Sequence, residues 1–288
     1  MVQDKTYRHS GMGISLWRDM IRGMTPLPLL DTILLERRGR LLVLTLNRAD
    51  SLNAFNLAMH DELAAALAFA KDDPGSDVIL LTGAGRAFSA GGDLDHIAHS
   101  AAHPELFDHE VQIARTIVLT LLDIAKPVVC RMNGHAVGLG ATIALLCDVI
   151  FANEKAKIGD PHVGIGLVAG DGGAIIWAQR IGLTRAKEYL LTGELLTATK
   201  AAEIGLINHA LPAEELDAAV DAFCSKLLNG AQIAIRYTKQ LTNLELKRIA
   251  GLLLDQGLAW ESTSVRSADH REAIAALREQ RAPRFTGS

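Results

Sequence analysis

The sequence predicts an α/β protein in which strand–strand–helix units repeat and an all-helical segment follows. Two apolar strands, 77–83 and 127–134, each end in glycine and each lead through a glycine-rich turn into a helix. Short apolar runs bounded by glycine are typical of buried strands in a sheet that helices cover. From about residue 212 the apolar residues recur only at helical spacing. We therefore expect an N-terminal extension (1–30), an α/β core whose units stack (31–211) and a helical C-terminal segment (212–288).

The core starts with a hairpin, because two apolar runs in TILLERRGRLLVLTLN flank the turn residues Arg38 and Gly39. Residues 56–71 place apolar side chains at helical spacing and stop at DDPG, which predicts a helix. A further long helix is expected over roughly 104–124, and DVIFAN is expected to form a strand. In the C-terminal segment we expect four helices: 212–229, 231–249, 250–266 and 268–280.

Composition excludes several functional classes. The chain has 288 residues, 49% of them apolar, and a formal net charge of −4, so no basic surface for nucleic acid is expected. Cys130, Cys147 and Cys224 lie far apart among apolar residues, which predicts buried reduced thiols rather than a disulfide or zinc framework. The longest apolar run, 136–147, is too short to cross a membrane. Since no apolar segment follows the charged N-terminus, we expect a cytoplasmic protein with no membrane partner.

Two glycine-rich turns are the first candidates for a functional site. FSAGGD (88–93) and GHAVGLG (134–140) each follow a strand and open onto a helix. The first N–H groups of a helix have no partner within it and carry partial positive charge. Glycine leaves room for a ligand oxygen to reach such groups. Either turn alone would be an ordinary tight turn, but the pair predicts a site that holds an anionic oxygen from two directions.

Four segments in order resemble one family. FSAGGDL (88–94) is similar to the motif F-[SAC]-A-G-[AG]-D-[LI] of the crotonase superfamily, the enoyl-CoA hydratase/isomerase family. KPVVCRMNGHAVGLGATIALLCDVIFANEKAKIGDP (126–161) resembles its central segment, and 181–212 and 267–285 resemble its later ones. The resemblance covers roughly residues 31–285. Four linked motifs are specific for the superfamily and much less specific for one reaction.

The resemblance implies a crotonase-like spiral of ββα turns, with a helical C-terminal segment that builds a homotrimer or a dimer of trimers. It implies an acyl thioester of coenzyme A as the substrate, with no separate cofactor and no metal. By position, the backbone N–H groups of Gly92 and Leu139 would hold the thioester oxygen. The implied substrate-binding residues are Ala54, Ala90, Gly91, Gly92, Asp93, Leu94, Gly138 and Thr142.

The chain departs from the family at both acid–base positions. Hydratases place two glutamates where this sequence has Thr142 and His162. A threonine hydroxyl is not a useful general acid or base near neutral pH, whereas a histidine, with an ordinary pKa of about 6.5, can be either. Nine residues later stands Asp171, where resemblance to β-diketone hydrolases and to 4-chlorobenzoyl-CoA dehalogenases implies a catalytic carboxylate. The β-diketone hydrolases also use a later glutamate, which matches Glu261 here.

Each candidate also has a purely structural interpretation. His162 would be a core histidine bonded to a carbonyl, and Asp171 would cap the following helix. For Glu261 we favour a solvated helix residue over a catalytic one. The histidines between residues 96 and 109 are also expected to be solvated; a base facing the acyl pocket comes second, and a zinc pair of His96 and His99 third. The sequence leaves open which side chains of this segment face the acyl pocket. The candidates are His96, His99, His103, Glu105 and Glu110.

Three functions follow from these observations. The first is an enzyme of the enoyl-CoA hydratase/isomerase type, in which His162 acts as acid and base with help from Asp171. The second is a carbon–carbon bond hydrolase of β-dicarbonyl substrates, and the third is a catalytically silent subunit that binds CoA. The first is favoured, because the chain keeps the CoA-type loop FSAGGD and has Leu139 where the hydrolases place a histidine.

Overall fold

The computed structural model of the protein describes residues 25–288, so most of the predicted N-terminal extension lies outside the described residues. Six strands form the main sheet in the order β1-β2-β3-β4-β6-β9, and three form a small second sheet in the order β5-β7-β8. In the main sheet only the β1–β2 pair is antiparallel, as the predicted hairpin requires. The strands are β1 (Ile33–Arg38), β2 (Leu41–Leu46), β3 (Val78–Gly83), β4 (Val128–Met132), β5 (Ala136–Val137), β6 (Val149–Asn153), β7 (Lys157–Gly159), β8 (Leu196–Thr197) and β9 (His209–Leu211).

Nine helices accompany these strands in the described part of the chain. The predicted break between 231–249 and 250–266 is wrong, since one continuous helix runs through both ranges. Gly251 lies inside it; a single glycine costs a helix only about 1 kcal/mol and does not remove a backbone hydrogen bond. Within residues 25–288, no helix has the length and apolar content needed to cross a membrane. The helices are α1 (Leu57–Asp72), α2 (Leu94–Ala102), α3 (Pro104–Asp123), α4 (Leu139–Leu146), α5 (Gly173–Thr192), α6 (Ala198–Glu203), α7 (Ala213–Leu228), α8 (Gln232–Ser264) and α9 (Ala268–Arg278).

The main sheet has helices on both faces. Because side chains alternate along a strand, Leu42 and Leu44 of β2 join the core with α1 and α3, while Leu41 and Val43 join a second core with α7. Helix α8 packs against α3 and α5. The helical C-terminal segment therefore packs against the α/β core, and α8 lies on the side of the core that carries the glycine turns.

A buried asparagine holds the first glycine turn in place. Asn53 is fully buried and has a left-handed backbone (φ +55°), which asparagine tolerates better than most residues. Its side-chain amide donates to the carbonyl oxygens of Ala84 and Ala87, both at 2.9 Å. Its side-chain oxygen accepts from the Arg48 N–H at 2.8 Å. These bonds tie the turn after β3 to the segment before α1.

Candidate active site

One cavity of about 230 Å³ lies where the two glycine turns, α2, α3, the turn after β7 and α8 meet. Most of its wall is apolar. Two groups of ionisable side chains interrupt that wall, which is the usual composition of a small-molecule site. The apolar wall includes Phe55, Phe107, Val111, Ala114, Leu139 and Leu258, and the ionisable side chains are His60, His96, Glu110, His162, Asp171 and Glu261.

The two glycine turns approach each other closely. Gly91 has φ +90°, and a Cβ added to it would lie 2.9 Å from the carbonyl oxygen of Val137. Gly138 has φ +53°, and a Cβ there would lie 3.9 Å from the Gly91 Cα and 3.6 Å from the His162 ring. Any side chain at Gly91 would force the turns apart, so glycine sets their separation.

Backbone N–H groups of both turns face the cavity. The Phe55 N–H donates to the Gly91 carbonyl and the Asp93 N–H donates to the Phe55 carbonyl. The Gly92 N–H, which lies between them, therefore has no acceptor in this pairing. Leu139 is the first residue of α4, so its N–H has no partner within the helix. Among residues 25–288 neither N–H donates a hydrogen bond. Such a pair of donors suits an oxygen that gains negative charge.

His162 begins a 3-10 turn and lies between two carboxylates. Its Nδ1 contacts Oδ1 of Asp160, which is 2% exposed, and its Nε2 lies 3.8 Å from Oδ2 of Asp171. Burial by itself lowers the pKa of the imidazole, but the charges of Asp160 and Asp171 outweigh it and hold this pKa well above 6.5. The two carboxylates therefore favour the imidazolium form of His162. Sequence reasoning missed Asp160, although its place two residues before His162 was a signal.

Asp171 combines the two roles considered for it. Its Oδ1 accepts hydrogen bonds from the Thr142 hydroxyl and from the N–H of Gly173, the first residue of α5, both at 3.2 Å. Its Oδ2 is buried without a hydrogen-bond partner among the described residues. On balance the pKa of this carboxyl is raised: burial and the charge of Asp160 raise it, and the His162 charge and the bonds from Gly173 and Thr142 offset only part of that rise. One oxygen thus holds the helix start while the other is free to react.

Glu261 is not the solvated helix residue that the sequence favoured. It is 5% exposed, lines the cavity, and its Oε2 has no hydrogen-bond partner in the part of the chain described. Burial raises its pKa well above 4.5, and the charge of Asp171 adds to the effect, so the carboxyl is kept protonated. The cause is close packing of α8: a Cβ on Gly170 would lie 2.2 Å from the Gly257 carbonyl.

A second ionisable group lies in the same cavity. His96 Nε2 is 3.0 Å from Glu110 Oε2, and the Ser100 hydroxyl donates to Glu110 Oε1 at 2.8 Å. His60, which sequence reasoning missed, lies beside them on α1. Ligand atoms of His60, His96 and Glu110 lie within 4.8 Å of one another, as do those of Asp160, His162 and Asp171, so either set has the composition of a metal site.

The other open residues of this segment do not share that environment. His99 is exposed, and the side chains of His103 and Glu105 are 52% and 70% exposed. The expectation of solvated histidines is therefore correct for His99 and His103 and wrong for His96. Of the two glutamates whose faces the sequence left open, Glu110 lines the cavity and Glu105 does not. The helical spacing of His96 and His99 suggested a zinc pair, but this pair does not form. Only His96 lines the cavity, whereas His99 is exposed.

The chain matches the family model described as Enoyl-CoA hydratase/isomerase over residues 36–288. It belongs to the enoyl-CoA hydratase/isomerase family. It is 32% identical over 264 residues to a probable enoyl-CoA hydratase of Mycobacterium bovis, covering 89% of this chain and 98% of that protein. It is 33% identical over 264 residues to 2,3-dehydroadipyl-CoA hydratase of Escherichia coli, covering 90% and 100%. A crystal structure of an enoyl-CoA hydratase/isomerase from Mycobacterium paratuberculosis matches with a TM-score of 0.83 at 40% identity, covering 86% and 99%.

These matches confirm the crotonase fold and superfamily that the four motifs predicted. They also make the chain a superfamily enzyme of the lyase and isomerase type. They do not confirm the β-diketone hydrolase branch, so the likeness of the His162, Asp171 and Glu261 set to that branch stays a prediction.

The family-derived binding residues divide into two groups in the structure. Three of the eight do not line the cavity. Thr142 is fully buried behind Asp171, Ala54 is buried, and Asp93 instead caps α2 and lies 3.0 Å from Arg48. The side chains of Thr142 and Asp93 contact protein groups, and a role of these three residues in binding the substrate stays a prediction. The residues that do line the cavity are Ala90, Gly91, Gly92, Leu94 and Gly138.

Proposed function

We propose that this enzyme transfers protons at the carbons next to the carbonyl of an acyl-CoA thioester, in a reaction of the enoyl-CoA hydratase or isomerase type. Coenzyme A is part of the substrate, and no other cofactor is required. One observation carries the proposal: the free N–H groups of Gly92 and Leu139 open onto the same cavity as the carboxyl groups of Asp171 and Glu261. The names of the relatives, which are hydratases of CoA thioesters, support the substrate class.

The two N–H groups receive the thioester oxygen. Removal of a proton beside the carbonyl, or addition of water to a conjugated double bond, places negative charge on that oxygen. Donors held in position stabilise this charge more than they stabilise the neutral carbonyl, and each is typically worth about 3–4 kcal/mol. The apolar wall excludes water and so strengthens both bonds.

Asp171 and His162 exchange the protons. Oδ2 of Asp171 has no partner and accepts the proton from carbon or from water. Asp160 orients the imidazolium of His162, whose charge favours the ionised form of Asp171 and whose Nε2–H is the matching proton donor. Burial raises the pKa of Glu261 and so favours its protonated form, which acts as a neutral hydrogen-bond donor next to them.

The test is an assay with two CoA thioesters. Crotonyl-CoA reports hydration by loss of absorbance of the conjugated thioester, and 3-hexenoyl-CoA reports isomerisation by its gain. Asp171→Asn should lower kcat by about 100-fold or more, in the range for loss of a general acid or base. The control Asp72→Asn changes an exposed carboxylate at the end of α1 and should leave kcat unchanged. Full activity in Asp171→Asn or in His162→Gln would refute these roles, and acyl-CoA binding without any turnover would favour a silent subunit.

One observation favours a second candidate function. The C–C hydrolase alternative needs a histidine, an aspartate and a later glutamate together, and the structure brings His162, Asp171 and Glu261 to one cavity. In that reaction the set would activate water for attack on a β-dicarbonyl carbonyl. Cyclic 1,3-diketones, offered free and as CoA-linked β-oxoacyl thioesters, distinguish the two functions. Diketone cleavage that is lost in Glu261→Gln would support the hydrolase. Absence of cleavage would refute the hydrolase and leave proton transfer on an acyl-CoA as the remaining proposal.

Self-association into a trimer or a dimer of trimers is also proposed. Helix α8 exposes large apolar side chains, and exposed apolar patches mark contact surfaces. Light scattering coupled to size-exclusion chromatography would show the mass, and a monomer at micromolar concentration would refute it. The exposed apolar residues of α8 include Leu241, Leu244, Leu252, Leu253 and Trp260.

A further inference from the structure

The group His60, His96 and Glu110 has no role in the proton transfer proposed above, yet it lines the acyl cavity. The side chains of His96 and Glu110 are 16% and 9% exposed, and Ser100, which orients Glu110, is 2% exposed. Nδ1 of His60 is buried with no hydrogen-bond partner among residues 25–288. A binding cavity for plain aliphatic acyl chains needs none of these groups.

The charges of this group follow from its contacts. The close contact with the Glu110 carboxylate raises the pKa of His96 above its ordinary value. Burial works to raise the pKa of Glu110, but the contact with His96 and the hydrogen bond from Ser100 lower it on balance. Burial lowers the pKa of His60 to about 4, so His60 is neutral. The group thus presents an imidazole N–H donor, a carboxylate acceptor and a neutral imidazole to whatever enters.

A ligand in the cavity removes the remaining water from this pair. Nε2 of His96 and Nδ1 of His60 are buried and have no hydrogen-bond partner among the described residues. An aliphatic acyl chain makes no hydrogen bond in return, so these two atoms keep the desolvation cost of unsatisfied polar groups. A hydroxyl group can accept from His96 and donate to Glu110, and a ketone oxygen can accept from His96. The pocket therefore disfavours the plain chain as well as favouring the oxygenated one.

Charge decides against an acidic acyl chain. Glu110 is close enough to Glu261 that its charge helps to raise the Glu261 pKa, and Asp160 and Asp171 contribute to the same effect. The imidazoles of His96 and His162 oppose these charges, but the three carboxylates of Glu110, Asp160 and Asp171 outnumber them, so a carboxylate on the substrate would meet an excess of negative charge. A neutral oxygen substituent meets the donor and the acceptor without adding charge.

We infer that His96 and Glu110 form a specificity site that recognises a neutral oxygen substituent, a hydroxyl or a ketone, on the acyl part of the substrate. His60 adds a third polar contact and packs beside His96, with ring centroids 6.4 Å apart. This inference rests on the proposed function, since it assumes that the acyl group occupies this cavity.

The experiment compares 2-hexenoyl-CoA with analogues that carry a hydroxyl at carbon 4, 5 or 6 or a ketone at carbon 4 or 5. At least one analogue should have a kcat/KM about 10-fold or more above the parent, the range expected when one compound leaves buried polar groups unpaired and the other does not. Dissociation constants of the saturated hexanoyl-CoA series, measured by calorimetry, should follow the same order.

Variants connect the preference to the two side chains. The combined variant His96→Leu, Glu110→Leu, Ser100→Ala leaves no unpaired charge and should remove or invert the preference, while Glu110→Gln, which keeps the shape, should reduce it. The control His99→Gln changes an exposed histidine of the same helix and should keep it. Retention of an unchanged preference in both Glu110 variants would overturn the inference.

Two other outcomes overturn it while leaving the proposed function distinguishable. Turnover of 2-hexenoyl-CoA equal to that of every analogue removes the specificity site and keeps the acyl-CoA enzyme. A preference that EDTA abolishes and Zn²⁺ restores makes the group a metal site instead of a direct recognition site. Absence of any acyl-CoA binding would refute the proposed function itself.

Discussion

Replacement of Glu261 by glutamine should stabilise the protein, and the gain should grow with pH. The folded state keeps this carboxyl protonated, because burial raises its pKa well above 4.5. The unfolded chain releases the proton near its ordinary pKa of about 4.3. The folded state therefore binds more protons than the unfolded state above that pH, so the free energy of unfolding falls as pH rises towards the raised pKa.

The slope of this effect can be worked out for a single carboxyl. While Glu261 remains protonated in the fold and ionised in the unfolded chain, the wild type loses about 1.4 kcal/mol of stability per pH unit relative to the glutamine variant. Glutamine has nearly the same shape and cannot ionise, so this contribution disappears. Below the unfolded pKa the two proteins should have equal stability, apart from the change of one amide for one acid.

The assay is urea denaturation of both proteins at pH 5.5, 6.5 and 7.5, at one protein concentration because association would add its own dependence. The control Glu188→Gln changes an exposed glutamate of α5 and should follow the wild type at every pH. Parallel stability curves for wild type and Glu261→Gln would refute the reasoning, since they would show that Glu261 ionises as easily in the fold as in the unfolded chain.

Two further predictions concern the geometry of the site. Gly91→Ala should destabilise the protein by about 1–3 kcal/mol and lower kcat, since its φ is +90° and the new Cβ would lie 2.9 Å from the Val137 carbonyl. Urea denaturation measures the loss of stability, and the crotonyl-CoA assay measures kcat. A stable, fully active variant would contradict the turn geometry. Thr142→Val removes a hydrogen bond that lowers the pKa of Asp171, so the acid limb of the kcat/KM profile should move to higher pH; an unmoved limb would show that Asp171 is not the group that titrates.

Much of the fold could be predicted because the signals are local. The hairpin at Arg38 and Gly39, the strand that ends at Gly83 and the helix that starts at Leu57 each depend on apolar spacing and turn residues within a short window. The helix break predicted between residues 249 and 250, next to Gly251, is wrong. A local rule treats glycine as a break, whereas the apolar packing of α8 against α3 and α5 carries the helix through it.

Prediction of the site succeeded where positions could be placed by motif and failed where distant segments converge. The motifs located Gly92, Leu139, His162 and Asp171, all of which the cavity brings together. Nothing in the local sequence around Glu261 distinguishes a buried carboxyl from a solvated one.

By itself, the sequence determined the order of strands, turns and helices, and the family, since these depend on residue types at short spacing. Only the tertiary structure decided which ionisable groups are removed from water. Gly170 and Gly257 allow α8 to approach the loop of Asp171, and this contact buries Glu261 and keeps it neutral. The packing of α2 on α3 brings His96 to Glu110. The electrostatic energy of a charge depends on its distance from water and from other charges, and those distances are set by segments far apart in the chain.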